Sequence, residues 1–303
     1  MIIKQIGQGT YGNVCIVKDP KLGMCACKEI ELENNGVPTH ALREIAVLKA
    51  SLGNEHLVQL MDISKDKNKN KLYLYLELGE FVCTNNNKIH DLVNLYKEED
   101  LSLCDLQQIS KHILKGIHFL HENHIMHRDL KPHNILVFGD HSNYTCKIAD
   151  FGLAKKISTD CNLTEEVVTL WYRAPELLLK EQYSYAIDIW SVGAIILEVY
   201  LNKPLFSVNE DSEIKQLFKI MQITGHEEDD YIHVVSSKKN IKFPKRKAVL
   251  DDLIDNKLLF TFCNMMLQLH PHDRITSDQA LMHAFLNKTF DTVPYSLNIP
   301  SLN

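Results

Sequence analysis

The spacing of apolar residues divides the chain into a strand-rich first quarter and a helical remainder. Up to about residue 78, short apolar or alternating runs lie between Gly, Asp, Asn and Lys residues, which is typical of strands. These runs are Val14 to Val17, Met24 to Ile30, Val58 to Met61 and Leu72 to Leu76. One segment interrupts them, because from Thr39 to Leu52 the apolar residues recur at helical intervals.

Beyond residue 90 the pattern indicates helices. Ser102 and Asp105 form an N-cap signature, after which the apolar residues keep to one helical stripe. The stripe contains Leu106, Ile109, Ile113, Ile117 and Leu120. Further helices are predicted near Ala186 to Tyr200, Ser212 to Thr224, Lys257 to Leu269 and Ser277 to Phe285. We therefore expect an α+β protein of two unequal lobes joined near Glu77 to Glu80, a junction that favours a small-molecule site.

Composition narrows the class of protein. The chain has 303 residues, of which 45% are apolar and 24% charged, with a net charge of −6. These values are ordinary for a globular protein and supply no broad basic face for nucleic acid or an anionic membrane. We expect a cytoplasmic and/or nuclear protein, since no apolar run approaches the roughly 18 residues of a membrane span and the first residues do not resemble a signal peptide. The eight cysteines form no CxxC pair and are expected to be reduced thiols.

A glycine-rich segment near the start of the chain is a candidate for phosphate binding. Gly7, Gly9, Gly12 and Val14 form a GxGxxGxV pattern. A dinucleotide-binding loop would open a helix, but here a strand-like run follows. The Gly-Lys-Ser/Thr ending of a Walker loop is also absent. Two interpretations remain: a glycine flap between two strands that lies over phosphates, or a plain hairpin turn.

A lysine on the next predicted strand has a candidate partner. Lys28 follows the glycine segment, and Glu44 lies on the helical segment after it. A buried or semi-buried cation needs a carboxylate partner. A lysine held by Glu44 could therefore bind phosphate oxygens as a fixed point charge.

Three further motifs make the chemistry specific. They are His127-Arg128-Asp129-Leu130-Lys131-Pro132-His133-Asn134, then Asp150-Phe151-Gly152, then Ala174-Pro175-Glu176. Together with the glycine segment and the Lys28/Glu44 pair, they resemble the ordered signature set of eukaryotic protein kinases. The resemblance extends from Ile3 to about Leu286. It implies a kinase domain over 1–286, with an N-terminal lobe of about 1–78 that is small, β-rich and carries one main helix. A larger helical lobe of about 80–286 and a tail of 287–303 would follow.

The resemblance implies roles in phosphoryl transfer from ATP. Asp150 and Asn134 would hold Mg²⁺, and Asp129 would accept the proton of the attacking hydroxyl. Lys131, which resembles the lysine of serine/threonine kinases, would neutralise the transferring group, and Thr169 would bond Asp129 and Lys131. A catalytically silent pseudokinase scaffold is the alternative, although it would normally have lost one of the three residues Lys28, Asp129 and Asp150.

The resemblance also implies a nucleotide pocket. Its residues would be Ile6, Gly7, Gly9, Gly12, Val14, Ala26, Lys28, Leu76, Glu77, Gly79 and Leu136. Backbone groups of Glu77 and Gly79 would bind the adenine, Ala26 would stack on it, and Leu76 would control the depth of the pocket. The chain departs from the family between Glu77 and Asp91, where it is longer by roughly nine residues. This insertion puts the family's ribose-binding role of Asp91 in doubt.

Several stretches resemble cyclin-dependent kinases in particular. They are Gly36 to Glu44, Glu166 to Glu176, Asp188 to Ser191 and Asp211 to Phe218. The first resembles the helix that a cyclin pushes inward in that family, and the alternative is an amphipathic helix with a solvated outer face. His40 and Leu42 depart from the family's usual residues, which favours a divergent cyclin. A non-cyclin kinase of the same group is the other alternative, but the Thr-x-Tyr of mitogen-activated kinases is absent.

The resemblance implies regulation by phosphorylation. Thr164 stands where the family carries its activating phosphothreonine. Arg43 and Arg128 match two of the three arginines that hold this phosphate, whereas the third position is Lys155, which lacks the bidentate fork of arginine. Thr10 and Tyr11 match inhibitory sites in the glycine segment, and ordinary loop residues are the alternative. Val168 and Arg173 resemble the family's device for accepting proline, so we expect protein substrates with Ser/Thr-Pro sites.

Four histidines recur at every third residue before the Asp129 motif. They are His118, His121, His124 and His127. Zinc ligands on a helix prefer i, i+4 spacing and a matching second cluster, which the sequence lacks. We therefore expect His121 and His127 to be packing residues rather than metal ligands.

Overall fold

The structure is a computed structural model that describes residues 1–9, 12–33, 36–156, 170–210, 212–225 and 247–295. It divides into two compact units. The first consists of residues 1–99 and 132–155, and the second of the described part of 100–131 and 156–303.

The first unit contains a five-stranded antiparallel sheet in the order β1-β2-β3-β5-β4. Its strands are β1 (Ile2–Gly9), β2 (Gly12–Asp19), β3 (Gly23–Glu31), β4 (Leu60–Asp66) and β5 (Lys71–Leu76). Helix α1 (Thr39–Ala50) lies between β3 and β4 in sequence and buries Ala41, Glu44, Val47 and Leu48. The predicted helix and the predicted strands Val14 to Val17, Met24 to Ile30 and Leu72 to Leu76 are confirmed. The strand predicted from Val58 to Met61 instead begins at Leu60 and continues to Asp66. Strand β1 was not predicted, because its apolar residues are interrupted by Lys4 and Gln5.

A second sheet of the first unit has four strands in the order β10-β9-β6-β7. Its strands are β6 (Phe81–Val82), β7 (Lys88–Ile89), β9 (Ile135–Asp140) and β10 (Asn143–Ile148). Helix α2 (Leu92–Glu98) follows β7. The sequence pattern did not indicate this sheet, because two of its strands are only two residues long and too short to reveal an alternation. The chain also has two-residue strands β8 (Ile125–Met126) and β11 (Lys155–Lys156).

The described part of the second unit is mainly helical. Its helices are α3 (Leu103–Glu122), α4 (Pro175–Leu178), α5 (Ala186–Leu201), α6 (Glu213–Thr224), α7 (Lys257–Met266), α8 (Ser277–Leu281) and α9 (Ala284–Asn287). The Ser102 side chain accepts a hydrogen bond from Asp105 N, and the Asp105 side chain bonds back to Ser102 N, so the predicted N-cap is confirmed. The five residues of the predicted apolar stripe on α3 are all buried. Helix α5 is buried on every side from Ile187 to Leu201 and forms the centre of this unit.

Two helix predictions differ from the structure in length. Helix α7 ends at Met266, three residues before the predicted Leu269. The segment predicted as one helix from Ser277 to Phe285 is two short helices, because His283 adopts extended dihedral angles and its side chain accepts a hydrogen bond from Phe285 N. A local cap therefore overrode the apolar periodicity.

Two further features bear on the class of protein. Within the described segments, no helix is long and apolar enough to cross a membrane. Seven of the eight cysteines are described, and all seven are free thiols, six of them buried. Burial raises the pKa of the Cys146 thiol to about 12, so this cysteine is a packing residue.

Candidate active site

The strand register of the first unit brings the predicted nucleotide residues onto one face of the sheet. Val14 on β2 lies opposite Lys28 on β3, and Ala26 on β3 lies opposite Leu76 on β5. Residues directly opposite each other on antiparallel strands point to the same face, as do residues two apart on one strand. The side chains of these four residues therefore share one face.

Lys28 is held between two carboxylates on the same unit. Its Nζ lies 2.8 Å from both carboxylate oxygens of Glu44 and 2.9 Å from Asp150 Oδ1. Lys28 is only 7% exposed and Glu44 1%. Burial alone would lower the pKa of Lys28, but the negative charges of Glu44 and Asp150 outweigh it and raise the pKa above its usual value. The lysine is thus a fixed cation, as the sequence predicted.

The β9–β10 hairpin explains how Asn134 and Asp150 come together. Ile135 pairs with Ile148 at the end of the hairpin, and Ala149 N donates to Asn134 O at 2.8 Å. Two residues that are 16 positions apart in the sequence are therefore neighbours at the mouth of one hairpin. Asp150 has a φ of 62°, in the left-handed region that non-glycine residues rarely adopt. The Asp150 carboxylate is held by Lys28, whose Nζ donates to its Oδ1.

The donors of this region suit Mg²⁺. Asp150 offers a carboxylate that is 37% exposed, and Asn134 offers an amide oxygen, which are hard ligands of the kind Mg²⁺ takes. No group of three or more His, Cys, Asp or Glu side chains that could hold a metal is found among the described residues. An ion here would therefore complete its coordination with water and with phosphate oxygens, which is the usual Mg²⁺ arrangement at nucleotide sites.

The glycine segment is the end of the β1–β2 hairpin. Gly7 pairs with Val14 and Gly9 with Gly12, so the segment is a glycine-rich hairpin between two strands. This structure is compatible with both interpretations of the sequence. Gly12 has a φ of 137°, and a Cβ atom at this position would collide with the Glu29 carbonyl oxygen. A glycine is required there because the hairpin approaches β3 closely. Thr10 and Tyr11 lie outside the described residues.

The segment after β5 is the predicted adenine-binding hinge. The Glu77 carboxylate accepts hydrogen bonds from Lys147 Nζ at 2.8 Å and from Gln59 N at 2.8 Å, which fixes the segment. Within the part of the chain that the structure describes, no partner is found for the Glu77 carbonyl oxygen or the Gly79 amide N–H. Leu136 lies against Gly79, since a Cβ atom on Gly79 would be 3.0 Å from Leu136 Cβ. The positioning residues Lys147 and Gln59 were missed, because nothing in their local sequence points to Glu77.

The insertion after the hinge forms the β6–β7 hairpin. Phe81 and Val82 pair with Ile89 and Lys88, and β6 also pairs in parallel with β9. Asp91 follows the hairpin as the N-cap of α2, and its carboxylate accepts from Asn94 N at 2.9 Å and from Asn94 Nδ2 at 3.0 Å. Asp91 therefore caps α2 through its Oδ1 atom.

The second unit contains the predicted catalytic base and its lysine. Lys131 Nζ donates to Asp129 Oδ2 at 2.9 Å, and the Asp129 side chain is 10% exposed. Arg128, the preceding residue, has a φ of 72°, a second strained position. Asp188 holds this loop, because its carboxylate accepts from Arg128 N and from His127 N, both at 2.9 Å.

The four recurring histidines have separate partners. His118 lies 3.3 Å from Ser277 Oγ and His124 3.3 Å from Tyr185 Oη. His121 Nε2 lies 3.0 Å from Asp188 Oδ2, and His127 is fully buried. The packing role expected for His121 and His127 is confirmed. The His121 ring and the His127 backbone N–H both contact the Asp188 carboxylate. Burial alone would raise the pKa of Asp188, but the hydrogen bond and charge of His121, the charge of His127 and the hydrogen bond from Arg128 N outweigh it and lower the pKa.

The predicted regulatory residues are only partly described. Arg43 is half-buried on α1, Lys155 lies on β11, and the Arg128 guanidinium lies over the Tyr183 ring at 5.6 Å from its centre. Thr164, Val168 and Thr169 lie outside the described residues.

The protein kinase domain family matches residues 1–286 of this chain. The chain therefore belongs to the protein kinase family. Its fold is the two-lobed kinase fold that the sequence predicted, with a β-rich first lobe and a helical second lobe. Similarity to known proteins extends over almost its whole length. The chain is 36% identical to cyclin-dependent kinase 4 of Mus musculus over 305 residues, covering 94% of this chain and 95% of the relative. Cyclin-dependent kinase 4 of Ovis aries is 36% identical and that of Rattus norvegicus 35%, with the same coverage. The chain is therefore a serine/threonine kinase of the cyclin-dependent kinase branch.

Proposed function

We propose that this kinase transfers the γ-phosphoryl group of Mg-ATP to Ser or Thr hydroxyls that precede proline, with a cyclin-like partner as activator. The observation that carries the proposal is the buried Lys28 ammonium, 2.8 Å from the Glu44 carboxylate and 2.9 Å from that of Asp150. A fixed cation and an exposed carboxylate next to it suit a metal-bound phosphate chain, because phosphoryl transfer depends mainly on positioning and charge neutralisation.

Nucleotide binding would use the sheet face and the hinge. Val14, Ala26, Leu76 and Leu136 supply apolar surfaces for the purine ring. The exocyclic amine of adenine would donate to the Glu77 carbonyl oxygen, and its N1 would accept from the Gly79 N–H.

The charged residues divide the remaining work. Lys28 would bind phosphate oxygens, and Asp150 and Asn134 would hold Mg²⁺. When bound, this ion neutralises the phosphate charge that develops during transfer. Asp129 would orient the substrate hydroxyl and accept its proton, and Lys131, 2.9 Å from Asp129, would neutralise the transferring group.

The cyclin-like partner is supported by the relatives and by α1. The relatives are named as cyclin-dependent kinases. Helix α1 carries the buried Glu44 on its inner face and an exposed apolar residue, Leu42, which is 54% exposed, on its outer face. A partner covering Leu42 could therefore act on the position of Glu44. A phosphate on Thr164 would be held by Arg43, Arg128 and Lys155.

The test is phosphorylation of a Ser-Pro peptide by the full chain, alone and with the partner that co-purifies from its native source. The proposal expects phosphorylation of the Ser-Pro peptide, weaker phosphorylation of a matched Ser-Ala peptide, and a rise in rate with the partner. Asp129→Asn should keep nucleotide binding and lose about 10²–10⁴-fold in rate, the usual contribution of a catalytic base.

The matched control is Asp100→Asn, which changes an exposed carboxylate in the same way. It should keep the rate of the unmodified chain. Equal rates for Asp129→Asn and Asp100→Asn would overturn the role of Asp129. Equal rates for the Ser-Pro and Ser-Ala peptides would overturn the proline specificity, and a rate unchanged by the partner would overturn the activation.

A further inference from the structure

A histidine of the insertion occupies the hinge carbonyl beside the proposed adenine site. His90 Nδ1 lies 2.5 Å from the Gly79 carbonyl oxygen. A carbonyl oxygen can only accept, so His90 Nδ1 carries the hydrogen and donates it. The backbone of the same residue is fixed as well, because His90 O accepts from Val137 N at 3.1 Å. His90 is therefore held at both its side chain and its backbone.

The hinge is enclosed around Gly79. A Cβ atom on Gly79 would lie 3.0 Å from His90 O and 3.0 Å from Leu136 Cβ, closer than such atoms normally approach. The next hinge residue is also fastened to β9, because Glu80 O accepts from Gly139 N at 2.9 Å. Two successive hinge residues are thus held in place, so the Gly79 carbonyl cannot easily turn away from His90.

The hairpin that carries His90 is itself anchored at its far end. Thr84 N donates to Glu99 Oε1 at 2.9 Å, and His141 Nε2 lies 3.3 Å from Glu99 Oε2. Phe81, at the start of the hairpin, is 1% exposed and packs edge-on against the Tyr144 ring. The hairpin is an ordered element, and it presents His90 at a defined place.

We propose that His90 determines purine specificity by donating a hydrogen bond to the Gly79 carbonyl oxygen. A purine then binds the hinge through two groups only, the Glu77 carbonyl oxygen and the Gly79 N–H. This inference rests on the proposed function, in which adenine binds these two groups. The site would select adenine over purines that carry an amino group at position 2.

The selection follows from the order of groups along the base and along the hinge. Adenine presents the N6 amine and N1 on adjacent positions of one edge, and these match the Glu77 carbonyl and the Gly79 N–H. A 2-amino group lies next to N1, on the side that faces the carbonyl of the same residue. In this chain that carbonyl is already bonded, and the imidazole stands beside it. The 2-amino group would lose its water without gaining a full hydrogen bond, which is unfavourable.

The test compares the binding of Mg-ATP with that of the magnesium complex of 2-aminoadenosine 5′-triphosphate to the full chain by calorimetry. The unmodified chain should bind the 2-amino compound no more tightly than ATP. His90→Ala frees the carbonyl and should shift the ratio of the two affinities towards the 2-amino compound by about two- to tenfold, the range of one net hydrogen bond. His90→Gln keeps a donor and should stay closer to the unmodified ratio. Asn87→Ala, an exposed position on the same hairpin, should leave the ratio unchanged.

The outcomes separate this inference from the proposed function. Failure of the unmodified chain to bind either triphosphate would overturn the proposed function, on which the inference rests. Binding of ATP with the same affinity ratio in His90→Ala as in the unmodified chain would overturn the role of His90. If His90 had only a structural role, His90→Ala would lower the affinities for both nucleotides equally and leave their ratio constant.

A second variant covers a failure to fold. Should thermal unfolding show that His90→Ala is not folded, His90→Phe removes the donor while keeping a ring, and the same shift in ratio is expected. Should neither variant fold, the affinities of the unmodified chain are the test. A roughly tenfold tighter binding of the 2-amino compound than of ATP overturns the inference, and equal or weaker binding of the 2-amino compound supports it.

Discussion

Replacement of Asp188 by asparagine should destabilise the second unit and disturb the loop that carries Asp129. Asp188 is 1% exposed and accepts three hydrogen bonds. Its Oδ2 accepts from His127 N at 2.9 Å and lies 3.0 Å from His121 Nε2, and its Oδ1 accepts from Arg128 N at 2.9 Å. Asparagine has the same shape but only one acceptor oxygen, so an amide NH₂ must replace one of the two carboxylate oxygens.

The size of the effect follows from these contacts. Whichever way the new amide is oriented, one buried backbone N–H, either that of His127 or that of Arg128, faces an NH₂ and loses its acceptor. A buried donor without a partner costs about 1–3 kcal/mol. The bonds that remain are no longer charge-assisted and are roughly half as strong. We expect the free energy of unfolding to fall by about 2–4 kcal/mol at neutral pH. The catalytic rate should also fall, because Arg128 directly precedes Asp129.

The pH dependence gives a second readout. The pKa of Asp188 is lowered in the folded chain, so its carboxylate contributes stability above its unfolded pKa, and this is lost as the pH falls through its folded pKa. The difference in stability between the unmodified chain and Asp188→Asn should therefore be complete at neutral pH. It should shrink from about pH 5 downward, where the carboxyl starts to take up protons.

The assay is urea unfolding followed by circular dichroism, from neutral pH down to the lowest pH at which the unmodified chain still shows a transition. Asp252→Asn is the matched control, because Asp252 is an exposed carboxylate of the same unit, and it should match the unmodified chain. A loss for Asp188→Asn of under about 0.5 kcal/mol, the range of ordinary surface substitutions, would refute the reasoning. A difference that does not change with pH would refute the assignment to the charged carboxylate.

Two further predictions concern one residue in each unit. Lys28→Met removes the cation between Glu44 and Asp150, so kcat/KM for ATP in a steady-state assay should fall by at least about 10²-fold, as for loss of one preorganised donor. The control is Lys69→Met, which changes an exposed lysine. Equal values of kcat/KM for the two variants would show that the Lys28 ion pair has no catalytic role. Ser102→Ala removes the cap of α3 and should lower the free energy of unfolding, measured by urea unfolding, by about 1 kcal/mol. Ser102→Thr keeps a capping hydroxyl and should retain most of the stability. An unchanged unfolding midpoint for Ser102→Ala would contradict the capping role.

The parts of the fold that were predictable depend on short stretches of sequence. The α3 cap needs only Ser102 and Asp105 three residues apart, and the apolar stripe that follows needs only helical spacing. The same is true of the predicted catalytic residues that lie in motifs, since Asp129 and Lys131 are two positions apart and their side chains lie 2.9 Å apart in the fold. Interactions within one turn or one loop are fixed by local geometry, so they can be inferred without knowing the rest of the chain.

Only the tertiary structure shows the contacts between residues that are far apart in the sequence. Lys28 and Asp150 are 122 positions apart, and only the pairing of strands brings the ammonium and the carboxylate to 2.9 Å. The sequence revealed the insertion after the hinge as extra length, but not that it returns His90 to the Gly79 carbonyl. Strands of two residues carry no periodic signal, because two residues are too few to reveal an alternation. The partner β9 of β6 also lies more than 50 positions away in the sequence. The sequence alone therefore determined which chemical groups this kinase has, and the folded chain determined which of them meet.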